Sequence, residues 1–506
     1  MSAATDAAVA AATGQRLGAA LAALGQPDEG GSAERLARLV DAARGDAARG
    51  DAAAVWLLII AICGAYPRQE DVLAVRRVLD LLDGAAAIRA VLTTLRPLAI
   101  GAGGLERHLA VVDSGVVVDV DFSATHEHNT GIQRVVRETM ARWTARPGGV
   151  HLAAWAPASA SLRALSAGET ARVVAWNAPD RDRAAAPPRQ GEIIVPWRSD
   201  VVVVEVPSEP SSERLAALAE FSGNRVHLIG YDTIPIVSAD MLHAREAEKF
   251  ARYLTLVKHA TSVVGISESA AQEFAGYVSA LSSQGVVGPR VSACSLPAEL
   301  TAGSDATAQG TPDNGRMLVL SVGSHEARKN HRALLFAAEV LWREGLDFEV
   351  ALVGRGSAEF IGAFDAEVAA LRAAGRPVVV RRDADDDELA AFYRRARVMV
   401  FPSLQEGYGL PVAEALSRAT PVITTRYGST AEIARDGGCL LIDPRDDDSL
   451  VAALRAVLTD DALVDRLQTE ARQRPERTWQ QYADELWAAM LGSTAASRTE
   501  TAGGAA

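Results

Sequence analysis

Short β-branched runs alternate with helical patterns twice along this chain, and that double alternation limits the fold more than any other feature. The first series holds LAVVDSGVVVDVDF from residue 109, DVVVVEV (200–206), RVHLIGYD (225–232) and TSVVGIS (261–267), each followed by a helical pattern. The second holds RMLVLSVGS (316–324), FEVALVG (348–354), PVVVRRD (377–383), RVMVFPS (397–403), PVITT (421–425) and CLLID (439–443). Strands that alternate with helices form parallel, doubly wound sheets. The expected fold class is therefore α/β: two Rossmann-like domains, at 109–300 and 316–475, whose strand carboxyl ends face each other across a cleft.

The remaining segments are read from composition. Residues 1–108 are Ala/Leu-rich with apolar spacings of three and four, which predicts a helical extension: a docking or oligomerisation module, or a cap on the next domain. Residues 301–315 read as a linker. Residues 476–491 read as a final amphipathic helix, and 492–506 as a disordered tail. AVWLLIIAICGAY at 54–66 is too short to span a bilayer and reads as a buried helix. Asp385 and Glu388 match a capping box, and Ser267 is read as a helix N-cap.

A net charge of −13 argues against a general nucleic-acid binder. Cys63, Cys294 and Cys439 lie far apart without metal spacing, and no signal peptide is apparent. A reducing cytoplasm is the expected setting. Only Lys249, Lys258 and Lys329 are lysines among 51 basic residues, so a lysine here stands out as a compact ammonium that arginine does not copy.

FPSLQEGYGLPVAEAL (401–416) is the most informative stretch. Its strand delivers Glu406, and Gly407 and Gly409 let backbone amides approach a ligand. Pro411 suits a helix first turn, so the amides from Gly407 through Tyr408 and Gly409 to Leu410 form an anion site. Glu406 and Glu414 flank it, and carboxylates accept hydrogen bonds from sugar hydroxyls. Hydroxyls on both sides of a diphosphate describe a nucleotide-sugar. In SVGSHEARKNH (321–331), Gly323 ends a strand while Arg328 and Lys329 open the next helix, placed for a diphosphate leaving group. Gly131, in NTGIQRVVRE, reads as a ligand loop or a tight turn. Tyr231 and Asp232, in YDTIP, end a strand where a polar group would touch a sugar or cap a helix. His126 and His128 read as ordinary loop histidines.

EGYGLPVAE and VGSHEARKNH resemble the signatures of the retaining GT-B glycosyltransferases called family 4, and TPVITTRYGSTAEIARDGGCLLIDPRDDDSL resembles the segment that follows them. NTGIQRVVRE is similar to the Gly-loop helix of members that build bacterial surface polysaccharides. The resemblance covers roughly 110–490. It implies that Glu406 contacts the donor sugar, Glu414 the ribose, and Arg328 with Lys329 the diphosphate. Ser324, Tyr231, Gln133 and LPAEL near 297 depart from the family's usual residues, mainly on the acceptor side.

The expectation is a retaining hexosyltransferase that moves a hexose, with mannose or a related sugar as candidate, from a nucleoside-diphosphate sugar to a glycan or lipid-linked glycan. It would need no cofactor and no metal, bind no nucleic acid, and work in the cytoplasm with peripheral contact to the inner membrane face. The alternatives are a nucleotide-sugar epimerase or glycosyl phosphorylase on the same fold, or a non-catalytic scaffold.

Overall fold

The computed structural model describes residues 3–102, 104–127, 129–156, 160–178, 191–298, 315–356 and 358–502. The linker expected at 301–315 and His128 lie outside these, apart from Gly315.

β-Branched runs build two sheets. The first contains β1 (Leu109–Asp113), β2 (Val116–Asp119), β3 (His151–Trp155), β4 (Leu162–Ala164), β5 (Ile193–Trp197), β6 (Asp200–Val203), β7 (Arg225–Gly230), β8 (Ser262–Gly265) and β9 (Arg290–Ala293). Its order is β1-β5-β4-β3-β2-β6-β7-β8-β9. β2, β6, β7, β8 and β9 run parallel, with Val117 opposite Val201 and Leu228 opposite Val263. The three-residue β4 departs from the expected parallel plan. It pairs antiparallel with β3 and β5, because a short return connection from β3 to its neighbour permits no other direction.

The second sheet is parallel throughout. β10 (Met317–Val322), β11 (Phe348–Val353), β12 (Val378–Arg381), β13 (Val398–Phe401), β14 (Val422–Thr425) and β15 (Cys439–Ile442) lie in the order β12-β11-β10-β13-β14-β15. The order reverses between β10 and β13, and a doubly wound sheet opens its ligand crevice at such a switch point. Arg328, Lys329 and Glu406 follow these two strands.

The N-terminal block consists of the helices Ala3–Ala23, Ser32–Ala48, Ala53–Cys63, Gln69–Leu81 and Gly84–Gly101. It caps the first sheet rather than standing apart. One apolar cluster runs from Leu17 through Trp56 and Val91 to Val201 and Phe274. Val55 through Ile60 are buried, each adding about 1.5–3 kcal/mol of burial for the large side chains. Polar clamps fix the join. Gln15 both donates to and accepts from the Leu109 backbone, at 3.0 and 2.9 Å, and the Arg16 guanidinium donates to Ala61 O and Arg107 O. Deletion of residues 1–105 strips a whole face from the first sheet. The truncated chain is expected to aggregate, seen as void-volume elution in size exclusion where the full chain elutes as a folded species.

The last helix runs Trp479–Ala502, eleven residues beyond the end expected at 491 and into the segment expected to be a disordered tail. It returns to the first sheet: Trp479, Tyr482 and Leu486 share a core with Val118 and Trp143, and the Trp143 indole donates to Ala483 O at 2.9 Å. Among the described residues no helix is long and apolar enough to cross a membrane.

Candidate active site

Arg328 and Lys329 lie on a single 3-10 turn, Ala327–Lys329, rather than on the first turn of the following helix. Asn330 breaks the two apart. Its φ of 54° is left-handed, its side chain donates to Pro444 O at 2.9 Å, and the helix starts at His331. The turn aims both cations at one acid. Lys329 Nζ lies 2.6 Å from Glu406 Oε1, and Arg328 donates to Glu406 Oε2 at 3.0 Å. The Ser403 hydroxyl also donates to Glu406.

Burial alone pushes the Glu406 carboxyl up, but the Lys329 ammonium and Arg328 guanidinium outweigh it and hold the acid below its ordinary range. Burial likewise pulls Lys329 below the ordinary lysine value, although Glu406 opposes it. Arg328 goes the other way: burial lowers it, and Glu406 with Glu326 more than restore it. The triad is thus a desolvated, ion-paired cluster at the carboxyl ends of β10 and β13. The Lys329 stem packs on Gly323, whose φ of 150° lies where side chains are rare.

The glycines flanking Tyr408 do different jobs. Gly409 has a φ of 106° and caps the helix Leu410–Ser417, which carries Pro411 in its first turn. Gly407 has no such strain. A Cβ there would lie 2.5 Å from Tyr231 O and 2.9 Å from Asp232 Oδ2, so this glycine admits the other domain's backbone. A Cβ on Gly131 would lie 3.2 Å from Leu410, which puts that loop against the same helix start. The Tyr408 hydroxyl donates to Leu296 O at 2.5 Å, so its side chain is a strut between domains.

Asp232 reaches the cluster and Tyr231 does not. The Tyr231 hydroxyl is buried and donates to Val204 O at 2.7 Å, a core role that a strand-end position does not reveal. Burial pushes the Asp232 carboxyl up to about 6, against the pull of Ile234 N–H and Arg328. A carboxyl raised in the folded state binds a proton that the unfolded chain has released, so stability falls as pH climbs from about 4 to about 6. Asp232→Asn is expected to abolish that fall and, at pH 8, to stabilise by up to about 3 kcal/mol. Urea melts at pH 5 and pH 8 check it.

Glu414 stands apart from this triad. Its oxygens accept from Arg134 Nη1 at 2.7 Å and from the Tyr393 hydroxyl at 3.0 Å, so it bridges to the N-terminal domain. Sequence reasoning passed over Arg134, although it lies three residues from Gly131. It also missed Ser267's second role, donating to Gly407 O at 2.7 Å while capping its own helix. Gln133, unusual for the resemblance, has a local reason: its carbonyl closes a capping box with Thr130. Asp385 caps its helix through Glu388 N–H at 2.8 Å.

A cavity of about 380 Å3 opens beside the triad, lined by Ser238 and Glu273 of one domain and Ser403, Glu406, Ser429 and Arg445 of the other. That volume suits a small-molecule ligand. A larger one, about 520 Å3, lies around Asp365, Arg372 and Arg382 and shares no residue with the triad.

Comparison with known proteins agrees with this architecture. Residues 305–474 match the family described as glycosyl transferases group 1. A serotype-specific mannosyltransferase, WbdA of Escherichia coli, is 31% identical over 197 residues, 36% of this chain and 23% of that protein. An MMP alpha-(1->4)-mannosyltransferase of Mycolicibacterium hassiacum is 38% identical over 102 residues, 19% of this chain and 25% of that protein. The chain thus spans about a quarter of the length of these curated relatives. Among solved structures, sucrose-phosphate synthase of Thermosynechococcus elongatus superposes with a TM-score of 0.50 at 17% identity, covering 77% of this chain and 99% of that one. Anabaena HepE in complex with UDP-glucose gives 0.51 at 11%, covering 76% and 99%. The fold is GT-B, and the part of the chain that matches the group 1 glycosyl transferases, residues 305–474, carries Glu406, Arg328 and Lys329.

Proposed function

We propose that the protein is a retaining hexosyltransferase that moves a sugar, mannose or a close relative, from a nucleoside-diphosphate donor to a glycan or lipid-linked glycan. The observation that carries this reading is the Arg328–Lys329–Glu406 cluster beside an interdomain cavity. The cations and the amides at the start of the helix Leu410–Ser417 meet the diphosphate. Glu406, ionised and adjacent, accepts from hydroxyls of the transferred sugar, and Glu414 takes the ribose by exchanging its Arg134 bond.

In the reaction the bond from C1 to the diphosphate oxygen breaks, and a bond from C1 to the acceptor oxygen forms on the same face. The acceptor's proton passes to the departing diphosphate. The fixed cations stabilise the charge that builds on the leaving oxygen without having to reorient. The name of the E. coli relative supports the choice of mannose.

A thermal-shift screen against UDP-, GDP-, ADP- and dTDP-sugars tests the reading, since a donor at 100 times its Kd stabilises by about 2.7 kcal/mol. The expected result is a shift with one nucleotide family, followed by transfer with retained anomeric configuration by NMR. No shift with any donor, an isomerised sugar without acceptor, or dependence on inorganic phosphate refutes it.

A further inference from the structure

The loop that carries Glu406, residues 402–409, joins β13 to the helix Leu410–Ser417 and belongs to neither. Its shape therefore depends on what grips its side chains and carbonyls. Gln405, directly before Glu406, is gripped from several sides. Its amide Nε2 donates to Glu273 Oε1 at 2.8 Å, and its amide oxygen accepts from the Ser238 hydroxyl. Its backbone carbonyl accepts from Arg328 Nη1 at 3.1 Å and from the Ser403 hydroxyl at 3.3 Å. Ser238, Glu273 and Gln405 all line the cavity beside the triad.

Glu273 lies on the helix Glu268–Leu281 of the first domain, so its bond to Gln405 crosses the cleft. Its other oxygen stays within the first domain. That oxygen accepts from Thr233 N–H at 2.7 Å and from the Thr233 hydroxyl at 2.9 Å. Three donors converge on two oxygens, which a carboxylate satisfies and a glutamine, with one oxygen and one NH2 group, does not. Thr233 follows Asp232 beyond β7, and Gln405 precedes Glu406 beyond β13. One side chain thus ties together the two segments that bring acids into the cleft. Other bonds across the joint do a different job. Glu432 accepts from Glu268 N–H at 2.9 Å and Arg435 pairs with Glu268 at 2.8 Å, which docks helix on helix and touches neither segment.

We propose that Glu273 is a positioning residue for the transfer, and that through Gln405 it sets where the Glu406 carboxylate stands against the bound sugar. The assignment rests on the glycosyl-transfer reading above. Its signature is a split between the kinetic constants. A displacement of about 1 Å at a reacting centre costs on the order of 100-fold in rate, so a loosened loop lowers kcat. Donor KM holds, because the diphosphate is gripped by Arg328, Lys329 and helix amides that make no bond to Glu273.

Glu273→Gln, Gln405→Glu and the exchanged pair carrying both changes test it in the full chain. The first single variant opposes donor to donor, and the second opposes two carboxylates. In the pair the new amide donates to the new carboxylate and its oxygen still accepts from Thr233, so every bond and the net charge are kept. The readout is release of nucleoside diphosphate from the donor that gives the thermal shift, with α-linked mannotriose present. Each single variant is expected to lose at least about 10-fold in kcat, with donor KM within about twofold and the melting temperature unchanged. The pair is expected to recover to within about threefold of wild type, a coupling that independent residues do not show. Wild-type kcat in the singles, a loss carried by KM alone, or a pair as slow as the product of the singles overturns the assignment and leaves the transfer reading standing. Should Glu273→Gln not fold, Gln405→Met at a half-exposed loop position decides: the same loss of kcat upholds the assignment, and wild-type kcat overturns it. A wild type that neither shifts with any donor nor releases diphosphate overturns the transfer reading itself, and the assignment with it.

Discussion

Lys329→Ala is expected to lower the turnover of sugar transfer at least about 100-fold, the scale of removing one fixed donor from a developing oxyanion. The ammonium is held 2.6 Å from Glu406 and over the Phe401 ring at 5.1 Å, so its position owes nothing to a mobile surface stem. Its loss also leaves Glu406 buried with Arg328 as its remaining cation, and breaking one pair of a buried ionic cluster costs up to about 3–5 kcal/mol. A fall in rate could then reflect unfolding, which a melting curve of Lys329→Ala separates: a folded variant with low turnover assigns the loss to the ammonium. Near wild-type turnover in folded Lys329→Ala would remove the ammonium from the reaction. Lys329→Arg is expected to rescue poorly, because a planar guanidinium does not fit the volume of a compact ammonium between Phe401 and Gly323.

Periodicity made much of this architecture legible. Apolar runs such as RVMVFPS and FEVALVG became the buried strands β13 and β11, and the fully apolar stretch at 54–66 became the buried helix Ala53–Cys63. What was missed had weak or contradictory local signals. β3 is HLAAW, whose alanines dilute the β pattern, and β5 contains Pro196, which argues against an interior strand. β4 has three residues and no period at all. The helical block could not be assigned to the first sheet, because an amphipathic face states that something covers it but not what.

The same limit applies at the site. Spacing placed Glu406, Arg328 and Lys329 near one another, since both segments follow adjacent parallel strands. The Arg134–Glu414 bridge joins residues 280 positions apart, and no single segment encodes it. Gly407 looked like an amide donor's glycine, yet its missing Cβ makes room for Tyr231 O, a demand set by the opposite domain.

That demand gives the second large effect. Gly407→Ala is expected to reduce transfer by about 10- to 100-fold while barely changing the stability of either domain. Gly407 does not have a positive φ, so alanine adopts its conformation without strain. The only obstacle is across the cleft, where the new Cβ would lie 2.5 Å from a backbone oxygen and 2.9 Å from the Asp232 carboxylate. A backbone oxygen does not swing aside like a side chain, so the domains must separate or tilt. Ser267→Gly407 O, Tyr408→Leu296 O and Arg134→Glu414 span the same joint and loosen with it. A displacement of about 1 Å at a reacting centre costs on the order of 100-fold in rate. Small-angle scattering should report a larger radius of gyration for Gly407→Ala than for wild type, with donor-induced melting shifts retained because Arg328 and Lys329, the proposed diphosphate ligands, sit within one domain. Unchanged turnover together with an unchanged radius would show that the joint yields without cost, and that Gly407 is there for its amide after all.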